Sequence, residues 1–134
     1  WVDAFQSELT PAGQAFALLS AHKGNRRIPV MWSQESRNLD CAASLSPDGL
    51  KLVLSVVNRS FVREEACVFK IVSAKVGAVA VHCLKGDPQD LGQPFESLEY
   101  TETYRGETGV KVPPYSAVRM DMALIPNGYK GRNE

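Results

Sequence analysis

Hydrophobic and polar positions alternate along much of this chain, with the period of two that is typical of β-strands. The clearest example is the stretch 51–57, in which Leu52, Leu54 and Val56 share one face and predict a half-buried strand. Comparable alternation or short apolar runs predict further strands at 27–31, 39–45, 66–72, 76–84, 98–104, 110–112 and 118–124. Six to eight short strands without βαβ alternation predict an all-β fold, an antiparallel β-sandwich of jelly-roll or immunoglobulin-like type.

One helix is predicted before the strands. Thr10 can cap the first free N–H groups of a helix, and Pro11 suits the first helical position because it has no N–H to satisfy. Phe16 and Leu19 then fall on one face, and Gly24 can end the helix. We therefore predict a helix over residues 10–22, whose apolar face must pack on the sandwich or on a partner. The same face is a candidate surface for self-association.

The predicted elements form a single domain over residues 1–125. The turn Ser46-Pro47-Asp48-Gly49 joins two of the strands, because Pro presets a turn angle and Gly tolerates a positive φ. Residues 126–134 are polar and rich in Gly, so we predict a disordered tail. A chain of 134 residues is long enough to bury a sizeable core as one domain.

Charge and cysteine usage exclude some classes of function. Fifteen basic and fifteen acidic residues cancel, so no positive surplus favours nucleic-acid binding. Apolar runs fall short of a membrane span and no secretory signal is recognised, which leaves both a cytoplasmic and a secreted location open. Cys41, Cys67 and Cys83 lie in apolar, strand-like settings, and we interpret them as buried free thiols.

Three groups of motifs resemble a known family when they are taken in order. Leu45–Gly49 is followed at once by the strand Leu50–Ser60, and Val112-Pro113-Pro114-Tyr115-Ser116 comes far downstream. The stretches Leu84–Pro88 and Gln93–Ser97 add loop motifs between them. Together they resemble the C-terminal β-sandwich of family 51 glycoside hydrolases, the α-L-arabinofuranosidases.

This resemblance implies a carbohydrate context without a catalytic centre. In that family the catalytic glutamates lie on a separate (β/α)8 barrel, which this chain is too short to contain, so no catalytic residue is carried over. The resemblance implies a non-catalytic accessory domain of plant-polysaccharide (lignocellulose) degradation, which binds either polysaccharide or a glycoside hydrolase barrel and assists hydrolysis. The alternative is a small stand-alone enzyme, hydrolytic or metal-assisted, acting on polysaccharide.

Aromatic residues supply the candidate carbohydrate-binding site, because their rings can stack on the apolar faces of sugars. Tyr100, Glu102 and Tyr104 would form a row on one face of a regular strand. Trp32, near the first strand, and Tyr115, at the Pro-Pro turn, complete the set. The tyrosines could equally cover the sheet or, in relatives, face the barrel.

A metal site has fewer indications, and no cofactor is expected. His82 with Asp87 or Asp90 is the candidate ligand set, since the two carboxylates lie in a Gly/Pro loop of the kind that gathers oxygen ligands. Asp in a turn, however, usually serves the turn itself. Asn58-Arg59-Ser60 fits a glycosylation pattern, but we interpret it as structural because it coincides with the family's strand-end motif.

Overall fold

The computed structural model describes residues 18–32, 37–72, 74–90 and 93–125, and within them the chain forms eight strands. The strands are β1 (Arg26–Ile28), β2 (Leu39–Leu45), β3 (Lys51–Asn58), β4 (Glu65–Phe69), β5 (Lys75–Lys85), β6 (Glu96–Glu102), β7 (Thr108–Val112) and β8 (Ser116–Ile125). No helix in this part of the chain is long and apolar enough to cross a membrane.

The predicted helix 10–22 lies mostly outside the described residues, and the predicted tail 126–134 lies entirely outside them. Residues 18 and 19 are helical, and a 3₁₀ turn, Ser20–His22, follows them. Lys23 N–H donates to the Ser20 carbonyl at 2.9 Å, and Gly24 follows with a φ of +81°. A positive φ costs Gly little, so Gly24 suits the position where the turn ends, while the helix 10–22 itself stays a prediction.

The strands form two sheets in which every neighbouring pair is antiparallel. Six strands make the larger sheet, in the order β1-β2-β3-β8-β5-β6, and β4 pairs with β7 in the smaller one. One core lies between them, and its buried members come from both sheets: Leu54, Val56, Val81 and Met120 from the larger and Val110 and Val112 from the smaller. The all-β, antiparallel prediction is confirmed.

Two sequence expectations about strands are wrong, each for a local reason. β1 ends at Ile28 rather than at residue 31, because Pro29 has no N–H to offer to a ladder. β3 is buried on both faces rather than on one: Val53 and Ser55 are as buried as the core residue Leu54. The face of β3 that carries Val53 and Ser55, which the alternation predicted to be exposed, is therefore covered.

The turn that joins β2 to β3 forms as predicted. Gly49 has a φ of +75°, and its N–H donates to the Ser46 carbonyl at 2.9 Å. The Asp48 carboxylate accepts hydrogen bonds from the Ser46 hydroxyl at 2.6 Å and from the Leu50 N–H at 2.9 Å. The hydrogen bond from Ser46, and to a smaller extent that from Leu50, lowers the pKa of Asp48 because both favour the charged carboxylate.

Candidate functional site

A polar row crosses the outer face of the larger sheet, the face turned away from β4 and β7. Ser55 on β3 lies opposite Arg119 on β8, Arg119 lies opposite His82 on β5, and His82 lies opposite Glu99 on β6. Directly opposed residues share a face, so four strands contribute one row of polar side chains. We call Ser55, Arg119, His82, Glu99 and the neighbouring Asp121 the outer-face row.

Arg119 and Asp121 form the centre of this row. Arg119 Nη2 donates to Asp121 Oδ2 at 3.1 Å, and Arg119 Nε lies 3.1 Å from Asp121 Oδ1. The two side chains are only 16% and 15% exposed, so they are largely removed from water. Arg119 Nη1 also donates to the Leu18 carbonyl at 3.0 Å, which ties the segment before the 3₁₀ turn to the sheet.

His22 sits over the same face and bonds to it through both ring nitrogens. Its Nδ1 lies 2.6 Å from Ser44 Oγ and its Nε2 lies 2.8 Å from Ser55 Oγ. Burial lowers the pKa of His22, and the nearby Arg119 charge lowers it further. A neutral imidazole suits this position, because one nitrogen can donate to a hydroxyl while the other accepts.

His82 lies between two carboxylates rather than beside the predicted loop ligands. Its Nδ1 is 3.2 Å from Glu99 Oε2 and its Nε2 is 3.5 Å from Asp121 Oδ2. Asp87 instead supports its own turn by accepting a hydrogen bond from the Gln89 N–H at 2.9 Å. Over the described ranges, no group of three His, Cys, Asp or Glu side chains is placed to hold a metal ion. His82, Asp87 and Asp90 thus remain an untested ligand set that this geometry does not favour.

The predicted aromatic platform is only partly assembled. Tyr100 and Glu102 lie on β6 opposite the core residues Val81 and Val79, so they share the inner face of the sheet at its edge. Together with β4 and β7 they line a groove of about 430 Å³. Tyr100 is 44% exposed there, and partial burial raises the pKa of its phenol.

Three of the predicted platform residues are placed elsewhere. Tyr104 follows the end of β6, packs against the core, and accepts a hydrogen bond from the Ile71 N–H at 2.8 Å. Tyr115 has a φ of +53° and packs edge-on against Phe61 and Phe95, with ring centroids 5.3 and 5.5 Å away. Trp32 follows β1, which is the edge strand at the opposite end of the larger sheet from β6. The row of Tyr100, Glu102 and Tyr104 is thus reduced to two members.

Asn58 confirms the structural interpretation of the Asn-Arg-Ser motif. It is 1% exposed, and its Nδ2 lies within 3.2 Å of the carbonyls of Arg63, Val112 and Pro113. Its Oδ1 accepts a hydrogen bond from the Ser60 N–H at 3.0 Å. A side chain so enclosed ties the end of β3 to the Pro-Pro turn and is closed to glycosylation.

These polar groups support one another within the fold, as Arg119 does with Asp121 and His22 with Ser55. A glycosidase needs two carboxyl groups that face each other across a cleft. The space between Glu99 and Asp121 is occupied by the His82 ring, which contacts both. Ser55, although it contacts His22, is 4% exposed and is therefore not open to a substrate. The cysteines are free, and burial raises the pKa of each thiol, that of Cys41 to about 11.

Sequence reasoning missed the outer-face row. The available signal was in β8, where Arg119 and Asp121 interrupt the apolar series Val118, Met120 and Met122 with a period of two. That pattern indicates a polar outer face, but it does not indicate that His22 and Leu18 lie over it. The covering depends on contacts between residues about a hundred positions apart.

Comparisons with solved structures match this fold to part of much longer enzymes. The α-L-arabinofuranosidase of Thermotoga maritima, solved with arabinose, superposes with a TM-score of 0.65 at 20% identity, over 87% of this chain. The family 51 arabinofuranosidase of Xanthomonas axonopodis pv. citri superposes with a TM-score of 0.65 at 14% identity, over 84% of this chain. This chain has the fold of a domain of family 51 glycoside hydrolases. The resemblance predicted from the sequence is confirmed at the level of the fold.

The same fold occurs in a second family of carbohydrate-degrading enzymes. A family 44 xyloglucanase of Paenibacillus polymyxa superposes with a TM-score of 0.64 at 18% identity, over 84% of this chain. In each case this chain spans less than a third of the enzyme. It covers 29% of the Thermotoga enzyme, 26% of the Xanthomonas enzyme and 22% of the xyloglucanase. No protein-family model matches the sequence, and no curated protein matches it either.

Proposed function

We propose that this chain is a non-catalytic accessory β-sandwich of carbohydrate degradation that associates with the catalytic unit of a glycoside hydrolase and assists it. The observation that carries the proposal is the asymmetry of the structural match. The superposed region covers 84–87% of this chain but only 22–29% of two arabinofuranosidases and a xyloglucanase, so it is a minor portion of each enzyme.

The distribution of acidic groups supports a non-catalytic role. The groove between β6 and the smaller sheet contains one carboxylate, that of Glu102, and the groove beside the β2–β3 turn also contains one, that of Asp48. Asp48 is held by its own turn, and Asp121 is held by Arg119. General acid and base roles require two such groups on opposite sides of one substrate.

Binding to candidate enzymes tests the proposal directly. The chain, immobilised through its C-terminus, is exposed in turn to a family 51 arabinofuranosidase and a family 44 xyloglucanase, and binding is measured by biolayer interferometry. The proposal predicts saturable binding to at least one enzyme, lost when the chain is first unfolded in acid. Absence of binding to both, together with sugar release by the chain alone, would favour the stand-alone enzyme instead.

Polysaccharide binding is a second candidate, favoured by the exposed ring of Tyr100 beside Glu102. A ring that lies open over an apolar groove can stack on a sugar while a nearby carboxylate accepts hydrogen bonds from its hydroxyls. The test is retention of the chain on insoluble xylan and cellulose, with Tyr100→Ala against the control Leu98→Ala, which removes an equally exposed apolar side chain from the same strand face. Equal retention of both variants and the parent would remove this candidate.

A further inference from the structure

Among the described residues, no further strand pairs with either edge of the larger sheet. β1 and β6 stand at opposite ends of the strand order β1-β2-β3-β8-β5-β6. All seven residues of β6 are exposed, and so are Arg26 and Arg27 in β1. An exposed edge presents unpaired N–H and C=O groups that can accept another strand.

The two edges carry opposite charges. β6 reads Glu-Ser-Leu-Glu-Tyr-Thr-Glu, with three acidic side chains and no basic one. β1 reads Arg-Arg-Ile, with two basic side chains and no acidic one. Pairing β6 with a second β6 in antiparallel fashion about Glu99 would place Glu99 on Glu99 and Glu96 on Glu102, and like charges directly opposed are destabilising. Pairing β1 with a second β1 would oppose arginines in the same way.

Strand direction favours contact between unlike edges. Because all five pairings in the six-stranded sheet are antiparallel, β6 runs opposite to β1. A second copy placed beside β6 in the same orientation therefore presents its β1 antiparallel to it. The sheet then continues from one copy into the next without reversal of the molecule.

We propose that this chain associates with itself head to tail, with β6 of one copy paired to β1 of the next. Arg27 and Glu99 both belong to the outer face, since Arg27 lies opposite Ser44 and Glu99 opposite His82. When Arg27 is set opposite Glu99, Ile28 falls on Leu98 and Arg26 on Tyr100, both on the inner face. An ion pair, an apolar pair and a cation over an aromatic ring then coincide in one register.

This association goes beyond the proposed function, and Tyr100 is the residue that it shares with the candidate sugar-stacking surface. β1 offers only three residues, so the contact is short, reversible and sensitive to salt. Because the contact joins unlike surfaces, it does not close on itself as a two-fold dimer does, and it extends into chains of copies as concentration rises.

Sedimentation velocity of the purified chain from micromolar to millimolar concentration tests the proposal. We expect the mean sedimentation coefficient to rise with concentration in low salt, and the rise to vanish in about 0.5 M NaCl, where the screening length is roughly 4 Å. Glu99→Lys or Arg27→Glu alone should each weaken association about tenfold, since each opposes like charges across the contact. The exposed loop changes Glu64→Lys and Arg63→Glu, which alter net charge equally, should leave association unchanged.

Charge exchange separates this contact from a general charge effect. The double variant Glu99→Lys with Arg27→Glu should associate as the parent does, and so should an equimolar mixture of the two single variants. Circular dichroism and a thermal midpoint establish that each variant is folded. The proposal is overturned if the chain stays monomeric at all concentrations, or if the single changes leave its association unaffected. The charges on the edge strands would then serve only to prevent pairing with other strands.

Discussion

Replacement of Arg119 by Met tests whether the outer-face row is a structural element. The change removes both contacts to Asp121 and the bond to the Leu18 carbonyl, while Met preserves much of the side-chain volume. Removal of one partner from a buried ion pair costs about 3–5 kcal/mol, because the other charge stays buried. Asp121 keeps His82 at 3.5 Å and Lys51 at 4.0 Å, so we expect the lower end of that range, about 3 kcal/mol.

Urea unfolding followed by circular dichroism measures the loss. The matched control is Arg105→Met, an exposed arginine after β6, which should change the free energy of unfolding by less than about 0.5 kcal/mol. The double variant Arg119→Met with Asp121→Leu removes both charges and should recover about 2 kcal/mol of the loss. A loss below about 1 kcal/mol for Arg119→Met, or no recovery in the double variant, would show that the pair is not buried as we describe.

Three further predictions concern His22, Gly86 and Asn58. Because burial holds the His22 pKa below its ordinary value of 6.5, the unfolded chain binds the proton more readily; stability should be complete above about pH 6.5 and should fall as the pH drops towards the folded-state pKa. In urea unfolding at several pH values, His22→Gln should reduce this slope, and an unchanged slope would contradict the prediction. Gly86→Ala should lower the thermal midpoint by roughly 10 °C or more, since its Cβ would lie 2.3 Å from the Tyr115 carbonyl oxygen, whereas Gly109→Ala, with 3.6 Å of clearance, should cost far less. Asn58→Ala should cost about 2–3 kcal/mol in urea unfolding by leaving buried carbonyls unpaired, and a loss under about 1 kcal/mol would contradict the bonding described.

The sequence predicts the strands well where the alternation is regular and bounded by turn residues. β3 and β8 are found because Leu52, Leu54 and Val56 keep one phase and because Pro113 and Pro114 mark where β8 begins. β6 is displaced by two residues, since its exposed residues give no contrast between faces and its limits are set by pairing with β5.

The candidate site was harder to predict because it depends on long-range contacts. Tyr104 has the spacing of a platform residue, but β6 ends at Glu102 and the ring packs against the core instead. The ring of Tyr115 packs against Phe61 and Phe95 instead of lying on the sheet face. Only Tyr100 and Glu102 keep the predicted relation, since both lie within one regular strand. Contacts such as Arg119 to Leu18 have no local sequence pattern.

We propose that this chain assists a glycoside hydrolase without cleaving sugars itself. The most direct measurement is the release of reducing sugar from arabinoxylan by the chain alone, by an arabinofuranosidase with a xylanase, and by all three together, with acid-unfolded chain as the control. We predict no release by the chain alone and a faster release in the complete mixture than in the enzymes with the control. Release by the chain alone, or a mixture that the chain leaves unchanged, would contradict the account.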